Sequence, residues 1–256
     1  MLIEPIPALT DNYLWLLRQG SQAAVVDPGD AAPVLTRLAA EKLSLVAILV
    51  THHHADHVAG IAALVEATGA RVWGPASEDI PGVDIGLAGG ESFELLGTRV
   101  EVIAVPGHTA GHIAYWLPQL APPALFCGDT LFAGGCGRIF EGTPEQMLAS
   151  LDRLAALPAA TRVCCAHEYT VANLRFARAV EPDNAELAAR LETATAMRAR
   201  GEPTLPSTLG LELATNPFLR SGQAASSAAA AAHGATEPTD RLASFTALRA
   251  WKNNFR

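Results

Sequence analysis

Short apolar runs punctuated by glycine, proline and aspartate fill the first two thirds of the chain, and helical spacings take over after that. Residues 12–17 and 23–27 read as strands, the second closed by Pro28-Gly29. Asp30 is placed to cap a helix through Lys42, with Val34, Leu35 and Leu38 inward. Leu45-Val46-Ala47-Ile48-Leu49-Val50 has the length and β-branching of a buried strand. Beyond it Val58, Ile61, Ala62 and Val65 follow a helical period, and Gly69 would end that helix. Residues 71–73 form a short strand, 86–90 a turn region, and 92–96 and 98–105 two strands broken at Gly97. Further strands are expected at 112–117, 124–127 and 162–166. Thr143-Pro144-Glu145-Gln146 opens a helix: Thr caps, Pro takes the first helical position and Gln completes a capping box. Met147, Leu151 and Leu154 give that helix its apolar face.

From about Val171 onward the pattern predicts helices and no strand. Asp183 and Glu186 cap one, with Leu187, Leu191 and Ala194 inward, and another runs over 240–251. Between them, 221–238 is rich in Ser, Ala and Gly and reads as a mobile surface loop. The chain therefore divides into an α/β domain, 1–170, and a smaller all-helical domain, 171–256.

Composition sharpens this. Half of the 256 residues are hydrophobic, enough for a sizeable core. A net charge of −8, from 18 Lys+Arg against 26 Asp+Glu, argues against nucleic acid and against an anionic membrane surface as partners. The first residues lack the basic and apolar regions of a secretory signal, and no apolar stretch approaches a membrane span. Cys127, Cys136, Cys164 and Cys165 show no metal-ribbon spacing and read as small buried thiols of a reducing compartment. A cytoplasmic protein, and a monomer, is expected.

The candidate chemistry begins where the Leu45–Val50 run ends. Thr51-His52-His53-His54-Ala55-Asp56-His57 packs four histidines and an aspartate into seven residues. Such polar density at the end of a buried strand is costly unless something binds it. Imidazole with carboxylate suits zinc, iron or manganese. His52 and His54, two apart, point the same way in an extended segment; Asp56 and His57 follow where the chain turns into helix, so two adjacent metals are implied. His108, Asp129 and His167 also follow strand ends, where ligands usually gather. Seven side chains exceed one tetrahedral ion but suit two with a shared carboxylate, and Asp129, after a buried strand, is the candidate bridge. His53 alternates away from the site, His112 is expected to support or pack, and His233 to be solvated. Two metals about 3.5–4 Å apart can share a water, lower its pKa and polarise a carbonyl. No serine-nucleophile elbow and no phosphate loop is present, so hydrolysis by a metal-held hydroxide is the reaction implied.

Residues 51–57 resemble the T-H-x-H-x-D-H signature of the metallo-β-lactamase superfamily, whose fold is a four-layer αββα sandwich with metals at one edge. Further blocks resemble glyoxalase II, the hydroxyacylglutathione hydrolases: Gly128-Asp129-Thr130-Leu131-Phe132, Gly135-Cys136-Gly137-Arg138, Phe140-Glu141-Gly142-Thr143, His167-Glu168-Tyr169-Thr170, Glu181-Pro182, Gly201-Glu202-Pro203-Thr204, Pro206-Ser207-Thr208 and Asn216-Pro217-Phe218. They cover nearly the whole chain except 221–238. The resemblance implies a binuclear thioesterase that cleaves S-D-lactoylglutathione to glutathione and D-lactate, the second step of methylglyoxal detoxification. His52, His54 and His108 would hold one metal, Asp56, His57 and His167 the other, and Asp129 would bridge. Zinc is the first expectation, with iron or manganese as substitutes.

For the glutathione moiety the resemblance points to Arg138, Phe140, Tyr169, Arg249 and Lys252. The family pattern has Lys and Tyr at the first two positions. Arg keeps the charge and can grip a carboxylate in two places, whereas Phe lacks a hydroxyl. Arg249 and Lys252 are i, i+3 neighbours on the last predicted helix, beside the stripe of Leu242, Phe245, Leu248 and Trp251. Such a local clamp explains how a net-acidic chain would bind an anionic thioester. A thiol of pKa about 8.5 leaves readily, so no dedicated general acid is needed. The alternative is a mononuclear-iron glutathione-persulfide dioxygenase of the same superfamily.

Overall fold

Two six-stranded sheets lie face to face. The structure is a computed structural model and describes residues 1–237 and 239–255. In the first sheet β1 (Leu2–Ala8), β2 (Asn12–Gln19) and β3 (Gln22–Val26) are antiparallel neighbours. The helix α1 (Ala31–Glu41) then crosses to β4 (Ser44–Leu49), parallel to β3. Two short helices, α2 (Ala55–Val58) and α3 (Ile61–Thr68), lead to β5 (Arg71–Pro75) and β6 (Ile85–Leu87), both parallel additions. The strands lie in the order β1-β2-β3-β4-β5-β6.

The second sheet opens with the meander β7 (Ser92–Leu95), β8 (Thr98–Ala104), β9 (Ile113–Leu117) and β10 (Ala124–Gly128). A small ribbon, β11 (Leu131–Phe132) with β12 (Gly135–Cys136), precedes α4 (Pro144–Ala155). The chain returns as β13 (Arg162–Cys165), parallel to β10. After α5 (Thr170–Val180) and α6 (Ala185–Ala199), a two-residue strand β14 (Ser207–Thr208) closes that edge. The order is β14-β13-β10-β9-β8-β7. Helices α7 (Leu209–Thr215), α8 (Ala224–Ala232) and α9 (Arg241–Asn254) complete the chain.

The two-residue period of the strands sets the layers. On β2, Leu14 and Leu16 pack with Val34 and Leu38 of α1 and Ile61 and Leu64 of α3, whereas Trp15 and Leu17 face the second sheet. Met147, Leu151 and Leu154 of α4 join the second sheet's core, giving the αββα arrangement. Phe176, Phe218, Phe245 and Leu248 of the C-terminal helical segment belong to that same core. Asp30 caps α1 by accepting from Ala32 N, and the capping box of Thr143 and Gln146 starts α4.

Several expectations change. The Ser/Ala/Gly stretch holds α8, a run dominated by alanine, the strongest helix former; Pro238, at its end, lies outside the described residues. Ser226 Oγ donates to Glu181 Oε1 at 2.6 Å, and Ala230 is buried, so tertiary contacts hold this helix. The helix expected from Val58 to Gly69 is two helices, because the chain bends at Ala59-Gly60, where a Cβ on Gly60 would lie 2.4 Å from Pro28 O. Asn184, not Asp183, caps α6 by accepting from Leu187 N. Part of the 86–90 turn region pairs as β6, and β14 is a strand within the helical third. The first strand, β1, carries Pro5 and Pro7, which an edge strand tolerates.

Candidate metal centre

The carboxyl ends of β3, β4, β8, β10 and β13 open onto one rim, and all seven expected metal ligands leave from four of them. β4 delivers Thr51 to His57, β8 delivers His108, β10 delivers Asp129 and β13 delivers His167. Gly128 (φ 47°) lets β10 turn there: a Cβ would lie 2.3 Å from Thr51 Oγ1 and 2.8 Å from the His112 ring.

All seven expected ligands converge. His54 Nδ1 lies 3.1 Å from His52 Nε2 and 3.0 Å from His108 Nε2. A second group follows beside it. His57 Nε2 is 3.5 Å from Asp56 Oδ2, and His167 Nε2 is 3.4 Å from the same oxygen. Asp129 stands between the groups: Oδ1 is 3.5 Å from His57 Nε2 and 3.3 Å from His167 Nε2, while Oδ2 is 3.4 Å from His108 Nε2.

The proton positions follow from the outer partners. His108 Nδ1–H donates to Arg138 O at 2.8 Å, and His167 Nδ1–H donates to Asp11 Oδ1 at 2.8 Å. Thr51 donates its hydroxyl to Asp27 Oδ2, so it accepts from His52 Nδ1–H at 3.0 Å. His57 Nδ1 faces Asp27 Oδ2 at 3.1 Å. The rings of His52, His108 and His167 therefore turn a bare Nε2 toward the centre, facing His54 Nδ1 or carboxylate oxygens. Buried Nε2 of His57 and Oδ1 of Asp129 have no hydrogen-bond partner. Such an array is repulsive unless cations sit within it. Ligand bonds of about 2.0–2.1 Å in a tetrahedron separate donors by roughly 3.3 Å, the spacing found here. The donor set thus fits divalent metal.

The electrostatics agree. Burial pulls His52, His54 and His108 below the usual imidazole range, so neutral donors are available. Burial alone would also lower His57, but the carboxylates of Asp129, Asp27 and Asp56 outweigh it and lift the group to about 9. Burial would raise Asp129, yet His57, His167 and His108 hold it well below the usual carboxylate range. Negative charge gathered on the second group calls for a cation there.

The other histidines sort as follows. His53 turns outward, as expected, and pairs with Glu141 Oε1 at 2.7 Å. His112 stacks on His52 (4.5 Å, 16°), and its Nε2 accepts from Asp129 N at 3.2 Å. His233 is exposed but not merely solvated: it stacks on the Trp251 indole at 3.5 Å and bonds Ala229 O.

A cleft of about 460 Å³ runs from His108 and Asp129 to the end of α9, and Arg138, Phe140, Tyr169, Arg249 and Lys252 all line it. Tyr169 stacks on His167 (4.7 Å, 3°), and Phe140 stands edge-on to His108 and His54. Arg249 is buried: Nη1 donates to Cys136 O at 2.7 Å, Nη2 to Asn253 Oδ1 at 3.1 Å, and the guanidinium lies over Phe218. Lys252 is half-buried over Phe176 and Phe255, and burial together with Arg249 and Arg138 pulls its ammonium below the usual lysine range. The four cysteines are buried free thiols.

Four residues escaped the sequence reading: Asp11, Asn12, Asp27 and Glu141. Asp27 carried a usable signal, because it follows the apolar strand β3 as Asp129 follows β10, and the same desolvation argument applies. Asn12 stood only as the first residue of the 12–17 strand, and Asp11 carried no signal of its own. Glu141, which also accepts from Ala110 N at 2.9 Å, stood only within the 140–143 block, with no role of its own.

Residues 10–167 match the family model for the metallo-beta-lactamase superfamily, and residues 168–255 match that for the hydroxyacylglutathione hydrolase C-terminus. A hydroxyacylglutathione hydrolase of Albidiferax ferrireducens is 56% identical over 256 residues, spanning 100% of both chains. One from Pseudomonas aeruginosa is 57% identical over 99% of both. Among solved structures, ETHE1 from Myxococcus xanthus is 28% identical, with a TM-score of 0.60 over 86% of this chain and 98% of its own. The BLEG-1 B3 metallo-beta-lactamase shares the fold at 23% identity, with a TM-score of 0.65 over 85% of this chain and 99% of its own. Full-length identity of this order, together with both family models, places this chain in the hydroxyacylglutathione hydrolase family of the metallo-beta-lactamase superfamily.

Proposed function

We propose that the chain hydrolyses S-D-lactoylglutathione, and related 2-hydroxyacyl glutathione thioesters, to glutathione and D-lactate in the removal of methylglyoxal. One observation carries the reading: the cleft that opens on His108 and Asp129 ends on Arg249 and Lys252. A thioester carbon placed at the ligand cluster puts the peptide along that cleft, with its carboxylates toward fixed positive charge.

His52, His54 and His108 would hold one metal, Asp56, His57 and His167 a second, and Asp129 would bridge, one oxygen facing each side. Two zinc ions per chain are proposed. When bound, divalent metals supply a water of lowered pKa and polarise the scissile carbonyl. The chain's residues do the rest. His112 accepts the Asp129 amide proton and so fixes the start of that loop. Tyr169 and Phe140 wall the reacting end. Arg138 and Lys252 direct the anionic peptide, and Arg249 braces the Cys136 carbonyl beneath it. The glutathione thiolate departs without a proton donor, in keeping with a thiol pKa of about 8.5.

The division into a metal-holding domain, 1–170, and a substrate-binding helical domain, 171–256, is part of this proposal, as are a cytoplasmic location and a monomeric state. No described helix is long and apolar enough to cross a membrane. The dioxygenase alternative has less support, since it uses one metal and leaves the second group of donors without a task. Steady-state hydrolysis of S-D-lactoylglutathione by wild type and Lys252→Ala tests the reading. Turnover with a raised KM in the variant supports it, and an unchanged KM removes the clamp.

A further inference from the structure

Two neighbouring residues, Asp11 at the end of the β1–β2 turn and Asn12 at the start of β2, reach the ligand cluster, and both act on the same half of it. Asp11 Oδ1 accepts from His167 Nδ1–H at 2.8 Å. Asn12 Nδ2 donates to Asp56 Oδ2 at 3.0 Å and lies 3.4 Å from Asp56 O. The turn is itself fastened to the loop after β13: Tyr13 N donates to Ala166 O at 2.7 Å, and Glu168 N donates to Asp11 O at 2.8 Å. Supports for the other half come from elsewhere, Thr51 for His52 and the Arg138 carbonyl for His108. His57 is supported by Asp27.

From this we infer that Asp11 and Asn12 are positioning residues that set the affinity of the Asp56/His57/His167 site for its metal while leaving the His52/His54/His108 site alone. The inference rests on the two-metal reading above. Its physical basis is orientation. The Asp11 carboxylate fixes the His167 tautomer, so that Nε2 carries the lone pair, and sets the ring plane. Asn12 takes one Asp56 oxygen and fixes which way that carboxylate turns. The Asp56 and Asp11 side chains are 39% and 35% exposed. Without the turn, Asp56 would sample several rotamers. His167 is only 5% exposed, so loss of Asp11 costs some folding stability as well, and the thermal unfolding of each variant measures that cost apart from metal affinity.

Zinc is the probe. The chelator-stripped protein is titrated with zinc against a chromophoric chelator at fixed pH, with thermal unfolding recorded for every variant. Wild type is expected to take two zinc ions. In Asp11→Ala one binds as before and the other about 10- to 100-fold more weakly, the usual effect of removing such a support. His54→Ala and His167→Ala backgrounds identify the half concerned. Adding Asp11→Ala should weaken the remaining zinc in the first background and leave it unmoved in the second. Asp11→Asn, which keeps an acceptor, should recover part of the loss. Equal weakening in both backgrounds, or two zinc ions held with wild-type affinity by Asp11→Ala, would overturn the inference. Wild-type protein that takes up only one zinc would overturn the two-metal reading itself, and this inference with it.

Discussion

His57 and Asp27 form a buried pair: Nδ1 lies 3.1 Å from Oδ2, with side chains 0% and 4% exposed. The same carboxylate accepts from Thr51 N and Thr51 Oγ1, both at 2.8 Å, so one side chain ties the ends of β3 and β4 together under the metal centre. Asp27→Ala would leave two buried Thr51 donors unpaired and remove the carboxylate that faces the His57 ring. We expect a loss of about 3–5 kcal/mol, the usual result of removing one partner of a buried charged pair. Urea unfolding reads it, and a loss below about 1 kcal/mol would show that the pair holds nothing.

Asp129 faces both donor groups, so Asp129→Ala should cost metal as well as turnover. Bound metal should fall from two ions toward one or none, and hydrolysis should become undetectable. Elemental analysis of the purified variant decides the point, because full occupancy would refute a bridging role.

Much of the centre was legible because ligand residues cluster beyond apolar strand runs, as with Leu45–Val50 before His52 and Ala124–Cys127 before Asp129. The strand alternation and the capping box at Thr143 fixed much of the sandwich in the same way. What stayed hidden depends on distant contacts. Asp11 meets His167 across 156 positions, and Glu141 meets His53 across 88. β14 exists only because Ser207 and Thr208 find β13. Arg249 and Lys252 showed their spacing, but not that Arg249 is buried on the Cys136 carbonyl.

Lys252 gives a pH dependence. Burial, Arg249 and Arg138 lower its pKa from the usual lysine value, and the proposed ligand is anionic. The charged form binds, so affinity is full below the lowered pKa and is lost as pH rises through it. KM should therefore climb with pH earlier than an ordinary lysine would allow, while kcat stays flat. Lys252→Arg keeps its charge throughout and should flatten that climb. An identical KM profile in the variant would assign the effect elsewhere.

Glu181 holds α8 in place. Its carboxylate accepts from Ser226 Oγ, from Asn184 Nδ2 and from Arg220 Nε, the last at 3.0 Å. Burial raises its pKa, but these donors outweigh it and leave it below the usual glutamate value. The stabilisation is thus present above the ordinary glutamate range and is lost as pH falls through the lowered value. Glu181→Gln should lower the thermal midpoint near neutral pH, and the gap to wild type should narrow in acid. A gap that widens in acid would contradict this sign.

The central claim is best tested by the rate of S-D-lactoylglutathione hydrolysis, set against a simple acyl thioester that lacks the peptide, with and without a chelator. The account predicts fast turnover of the glutathione thioester, slow turnover of the simple one, and loss of both with the chelator. Equal rates on the two thioesters, or turnover that survives complete metal removal, would contradict it.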